Sequence, residues 1–273
     1  MTEARPRPNM VRRILTAVIA IPIVLAVLFS TSPWPILLLA ITAWCFAFDE
    51  LVAMVDPDRV RFVLIDAFWP VVAILAWVSG LGEVAVAVFG TMFISGLVGL
   101  ARVSPTRKKV LPWAIGWITA PFGALIVLHE AGIVEPGQAF SANLALMALV
   151  PLWVGDTLAI LAGRTLGRVK LAPRISPGKT LEGALANLAG CLAAAWALGL
   201  WLEVETWRWV AVGLTAGILG QVGDLSESAL KRRFGVKDSG VVLPGHGGVL
   251  DRLDSFFLTA VPIAVILLWP ATR

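Results

Sequence analysis

Nine stretches of this chain are each apolar over enough residues to cross a bilayer, and that constrains the fold more than any other feature. They lie at about 11–30, 33–48, 62–80, 83–101, 110–128, 140–163, 182–202, 206–224 and 251–270. A bilayer core takes roughly 20 helical residues, and backbone inside it must satisfy its hydrogen bonds within the protein. The expectation is an all-α, polytopic membrane protein with about nine transmembrane helices. Composition agrees, since only 15% of the 273 residues are charged, against roughly 25% in soluble domains. The second stretch is the weakest: it ends in Phe48-Asp49-Glu50, so it tilts, kinks at Pro35 or runs on past the interface. The first follows Arg12-Arg13, but Phe29-Ser30-Thr31-Ser32-Pro33 is a poor small-residue cleavage site, and the segment reads as a retained helix.

Short cytoplasmic loops are enriched in Lys and Arg. With the N-terminus placed in the cytoplasm, 20 of the 22 basic residues fall in inner segments; Arg208 and Arg273 are the exceptions. The outer loops carry Glu83, Glu130, Glu135, Glu203 and Glu205. Adding or removing one span reverses every later loop and destroys this asymmetry, so the charge distribution supports both nine spans and a cytoplasmic N-terminus. The sequence pI near 9.5 is then a mark of topology, and nucleic acid is not an expected partner. Cys45 and Cys191 lie within apolar runs with no Cys or His at ligand spacing, which predicts two buried thiols, no disulfide and no zinc site.

Polar residues divide the chain unevenly. Residues 1–139 read as transmembrane helices and turns, whereas 140–273 read as a catalytic membrane region with cytoplasmic loops. Asp156 sits inside the sixth apolar run, where an ionisable group is costly; it is either a functional residue or a structural one bonded to a neighbouring helix. In Leu171–Gly183 the Gly178-Lys179-Thr180 triplet invites a phosphate-loop reading, but the first glycine of that motif falls on Pro173. What remains is Lys179 with the hydroxyls of Ser176 and Thr180 at a helix start, where free N–H groups favour an anion, or a capping arrangement completed by Glu182. If the eighth helix continues past the membrane surface, Gln221, Asp224, Glu227 or Ser228, and Lys231 share one face. The ninth run opens with Asp251-Arg252-Leu253-Asp254. Capping explains one of those carboxylates and leaves several acids at one membrane depth, among lysines and arginines. Such a set suits Mg²⁺-assisted phosphate chemistry: hard oxygen ligands for the ion, cations for phosphoryl oxygens. Glycines around His246 allow backbone to approach a nucleotide closely.

The residues Ser228-x-Leu230-Lys231-Arg232, Lys237-Asp238 and Pro244-x-His246-Gly247-Gly248-x-x-Asp251-Arg252-x-Asp254 resemble the signature of the phosphatidate cytidylyltransferase, or CDP-diacylglycerol synthase, family, without departure at its fixed positions. The resemblance extends to Gly155-Asp156, to Ser176-Pro177-x-Lys179-Thr180-x-Glu182-Gly183 and to Gly223-Asp224-x-x-Glu227-Ser228. It covers roughly residues 150–255; before that it rests on hydropathy alone. The resemblance implies a multi-pass enzyme of the bacterial cytoplasmic (inner) membrane, a homodimer, that turns CTP and the membrane lipid phosphatidate into CDP-diacylglycerol and pyrophosphate with Mg²⁺. On that expectation Asp224 and Asp251 hold the metal, with Asp254 as a third ligand or just behind it. Lys179, Lys231, Arg232 and Lys237 hold triphosphate or lipid phosphate. Ser176, Thr180, Glu182, Ser228, Arg252 and Asp156 join the substrate site, and His246 lies near nucleotide or pyrophosphate. Two other readings remain at this stage. A CTP-dependent lipid-alcohol kinase would transfer the γ-phosphate instead. A secondary transporter would place its charges at mid-membrane between repeats, which this chain does not display.

Overall fold

The computed structural model describes residues 10–55, 111–131, 142–240, 242 and 247–270. The chain is mostly helical. The described helices are α1 (Met10–Phe29), α2 (Pro33–Val55), α3 (Leu111–Ala131), α4 (Ala145–Thr165), α5 (Leu181–Trp201), α6 (Thr206–Arg233) and α7 (Leu250–Leu268). Between α4 and α5 lies an antiparallel hairpin of β1 (Lys170–Ala172) and β2 (Ser176–Thr180). Three helices, Pro33–Met54, Ala145–Thr165 and Leu181–Trp201, are by length and composition able to cross a membrane. The expected spans at 62–80 and 83–101, and most of the loops on either side of them, lie outside the described residues.

Helix ends follow local chemistry. The doubtful second span runs on: α2 carries Pro33 and Pro35 in its first turn, where a missing N–H costs nothing, and continues through Asp49-Glu50 to Val55. The eighth expected span likewise continues beyond residue 224, as α6, to Arg233. The hairpin was not anticipated. Its turn places Pro173 second, with Ile175 N–H donating to the Ala172 carbonyl at 3.2 Å, the arrangement a fixed proline φ favours.

Sequential helices pack side by side: α4 against α5, α5 against α6, α6 against α7. The helix α3 lies on α7, and α2 lies on α3 and touches α7. In lipid such packing depends on close van der Waals approach, which small residues permit. A Cβ at Gly190 of α5 would stand 3.1 Å from the Gly155 Cα of α4, and one at Gly213 of α6 would stand 2.9 Å from the Leu192 Cα of α5. Larger residues fill the other side: Phe122 of α3 meets Phe256 and Phe257 of α7 at 5.7 and 5.9 Å between ring centroids. The Cys191 thiol of α5 reaches across to α4 and donates to the Pro151 carbonyl at 3.2 Å. Cys191 is buried as expected, whereas Cys45 is only half-buried, and neither forms a disulfide.

Arg208, one of the two basic residues outside the charge asymmetry, has a structural task. Its guanidinium donates to the carbonyls of Ile266, Leu267 and Trp269, closing the C-terminus of α7 where last-turn carbonyls lack partners. It also meets Glu205 at 2.8 Å and holds that exposed carboxylate below its usual range.

Candidate active site

The antiparallel course of α4 to α7 brings the C-terminal parts of α4 and α6 to the same end as the N-terminal parts of α5 and α7. Two linked groups of charged side chains form there.

The first group is built on four helices and the hairpin. Lys179, the residue before the α5 cap, reaches Asp224 of α6 at 2.5 Å, with about a quarter of each side chain exposed (24% and 30%). Asp254, one turn into α7, lies within electrostatic range of Asp224, Asp156 and Lys179. Asp156 of α4 lies within range of Asp224, Lys179 and Arg252, and its side chain stays accessible. A polar ladder orients it. Asn187 Nδ2 of α5 donates to Asp156 Oδ1 at 3.0 Å. Gln221 of α6 donates to Asn187 Oδ1 at 3.4 Å and to the Gly217 carbonyl at 2.6 Å. Thus Lys179 pairs with Asp224, and the Asp156 and Asp254 carboxylates stand within electrostatic range of both.

The second group stands next to it. Lys231 of α6 donates to Asp251 Oδ1 at 2.6 Å and to Glu227 Oε2 at 3.2 Å. Asp251 Oδ2 accepts the N–H groups of Ser239 and Gly248, both at 3.0 Å. Glu227 is fully buried, and its Oε1 has no partner among the described residues. It lies within electrostatic range of both Asp254 and Asp251, so it joins the two groups. Gly247 sits in the left-handed region with φ of 85°, a conformation glycine adopts without strain.

Other expected site residues are placed differently. Ser228 Oγ donates to Asp224 Oδ1 at 3.4 Å, one turn away. Thr180 is the N-cap of α5, its hydroxyl accepting from Gly183 N at 3.1 Å, and Glu182 accepts the Val169 N–H at 3.3 Å. Capping therefore accounts for Thr180, whereas Glu182 ties the start of α5 to the segment that enters the hairpin. Ser176 is half-buried on β2, while Arg232 and Lys237 are exposed, outside the two groups. Arg232 donates to the Val236 carbonyl at 3.5 Å. His246 lies outside the described residues.

Hard carboxylate oxygens suit Mg²⁺ better than any softer ion, and the orphaned Glu227 Oε1 adds a further oxygen beside them. Among the described residues no three acids converge on one point. Instead the Lys179 and Lys231 ammonium groups each sit against one aspartate, Asp224 and Asp251 respectively. The donor set fits the ion in kind, and its neutralisation is shared with lysines.

Asn187, Gln221, Glu227 and Glu50 complete this end of the bundle and are not among the site residues that the sequence suggests. Gln221 and Glu227 were visible as members of the α6 stripe. Asn187 had only its polarity within an apolar run as a signal. Glu50, which accepts from the start of α7, had none.

Residues 11–269 match the cytidylyltransferase family. The chain belongs to that family. Among curated cytidylyltransferase relatives, a protein of Staphylococcus saprophyticus named phosphatidate cytidylyltransferase is 31% identical over 268 residues, covering 94% of this chain and 98% of its own. Its namesakes in Staphylococcus epidermidis and Staphylococcus aureus are 31% and 32% identical over 261 residues, with the same coverage. The match runs through the N-terminal half as well, where the motifs are absent.

Proposed function

We propose that this chain is a phosphatidate cytidylyltransferase working at the cytoplasmic face of a bacterial inner membrane. The observation that carries the reading is the pairing of Lys179 with Asp224 and of Lys231 with Asp251 at one end of the bundle, within a chain of this family. An oxygen of the lipid phosphate attacks the α-phosphorus of CTP; a new phosphoanhydride bond forms as the bond to the β-phosphate breaks, and pyrophosphate leaves with that electron pair. Such chemistry needs positioning and countercharge more than covalent help. Lys179 and Lys231 would supply countercharge to the phosphates, and Arg252 lies close enough to assist. Lys237 and Arg232, on the exposed side, would meet the triphosphate as it arrives. Asp224, Asp251 and Asp254 would hold Mg²⁺, with Asp156 and Glu227 beside them. Bound Mg²⁺ supplies further neutralisation of phosphoryl charge.

The architecture suits a lipid substrate: carboxylates at helix ends, reached sideways from the bilayer, within a nine-span chain whose N-terminus is cytoplasmic. A homodimer is part of this reading on the family resemblance alone. The test uses purified protein, phosphatidate and CTP labelled at either the α- or the γ-phosphate. Label from the α-position should appear in lipid and label from the γ-position in pyrophosphate. Lipid labelled from the γ-position would instead show a kinase.

A further inference from the structure

The carboxylate of Glu50 enters the active end of the bundle from the N-terminal half of the chain. It stands near the end of α2 and is only 4% exposed. Its Oε1 accepts the Val249 N–H at 3.0 Å; its Oε2 accepts the Leu250 N–H at 2.8 Å and the Ser239 hydroxyl at 3.1 Å. Val249 and Leu250 open α7, where N–H groups lack intrahelical partners and the helix dipole favours a negative charge. An ordinary cap would stop there. Glu50 also fills the places where Gly240 and Gly248 would carry a Cβ: an added carbon at either meets its carboxyl group. Both ends of the 239–250 segment are therefore shaped around one side chain.

That segment sets Asp251. The Ser239 hydroxyl goes to Glu50 and its N–H to Asp251, whose same oxygen also accepts Gly248 N–H. The other oxygen of Asp251 holds Lys231. We infer that Glu50 is a positioning residue for cytidylyl transfer, clamping the two ends of the 239–250 segment so that Asp251 and Lys231 face the phosphates in fixed register. The inference rests on the reading that Asp251 and Lys231 belong to the site.

Glu50→Gln tests it, because the shape is kept while one acceptor becomes an NH₂ group facing donors. In the full-length protein in detergent, kcat should fall about tenfold or more while KM for CTP and for phosphatidate stays within about threefold, the pattern of an interaction felt in the transition state. Trypsin should cut after Lys237 roughly tenfold faster because the segment opens more often, with the melting temperature little changed. Gly240→Ala, whose methyl displaces the same carboxylate, should reproduce these effects and decides the matter if Glu50→Gln accumulates poorly. Asp49→Asn, next along α2, serves as the control with unchanged turnover. Unchanged kcat in Glu50→Gln, or a kcat loss with no change in cleavage after Lys237, overturns the inference. Asp251→Asn separates the two levels: inactivity there with normal Glu50→Gln sinks only the clamp, whereas full turnover of Asp251→Asn removes the site assignment beneath it.

Discussion

At the scale of single residues, the partly exposed Lys179–Asp224 pair contributes little to stability and should matter mainly to chemistry. The Lys179–Asp224 pair is 24% and 30% exposed, and a pair so placed adds no more than about 1 kcal/mol. Lys179→Ala and Asp224→Asn should therefore melt close to the parent protein while cytidylyl transfer falls by about a hundredfold or more, the scale of losing one electrostatic stabiliser at a phosphoryl centre. Arg174→Ala, on the exposed hairpin turn, should leave transfer intact. Equal losses in all three would withdraw Lys179 from the site. Glu227 differs because it is fully buried with one unpartnered oxygen. Burial, with the Asp254 carboxylate nearby, holds the Glu227 carboxyl well above the usual carboxylate range, which favours the neutral form that an amide imitates. Glu227→Gln should thus keep or raise the melting temperature while lowering transfer, and a marked drop in melting temperature would show that Glu227 serves the fold instead.

At the scale of elements, the site exists because small residues let α4, α5 and α6 approach. Gly190→Val pushes against the Gly155 Cα, which a Cβ would meet at 3.1 Å, and parts Asn187 from Asp156. Stability and transfer should fall together, in contrast to the residue-scale variants. Gly178→Ala, with open space around it, should change neither. Thr180→Val removes the α5 cap and should cost about 1 kcal/mol of stability, the usual worth of such a cap. Much of this level was legible in advance. The apolar runs lie close to the described helices because lipid forces backbone to bond within each segment, and α6 runs on to Arg233, the condition under which Gln221 to Lys231 form one stripe. The hairpin was not legible, since residues 170–180 lack the alternating pattern that marks a half-buried strand. The grouping of acids was only partly legible: spacing put Asp251 and Asp254 on one helix start, but could not say that Asp251 turns to Lys231 while Asp254 turns to Asp224 and Asp156. Glu50 was illegible because its partners lie about 200 residues away in the chain and, besides the Ser239 hydroxyl, are backbone N–H groups, which no side-chain motif records.

At the scale of the whole molecule, topology and chemistry make the same demand. CTP is a polyanion confined to the cytosol, so Lys179, the 237–250 segment and the N-terminus of α7 must face that side. The charge distribution points the same way independently, because 20 of the 22 basic residues fall inside if the N-terminus does. The opposite end carries Glu205 and the Arg208 side chain that closes α7. Single cysteines at Asp238, which is exposed, and at Gly137, in a loop assigned to the outside by charge, report the two faces once Cys45 and Cys191 are replaced by alanine. On intact cells an impermeant thiol reagent should label Gly137→Cys and leave Asp238→Cys unmodified until the membrane is permeabilised. Labelling of Asp238→Cys from outside would place the lysine–aspartate groups away from CTP, and would overturn the span count and the proposed reaction together.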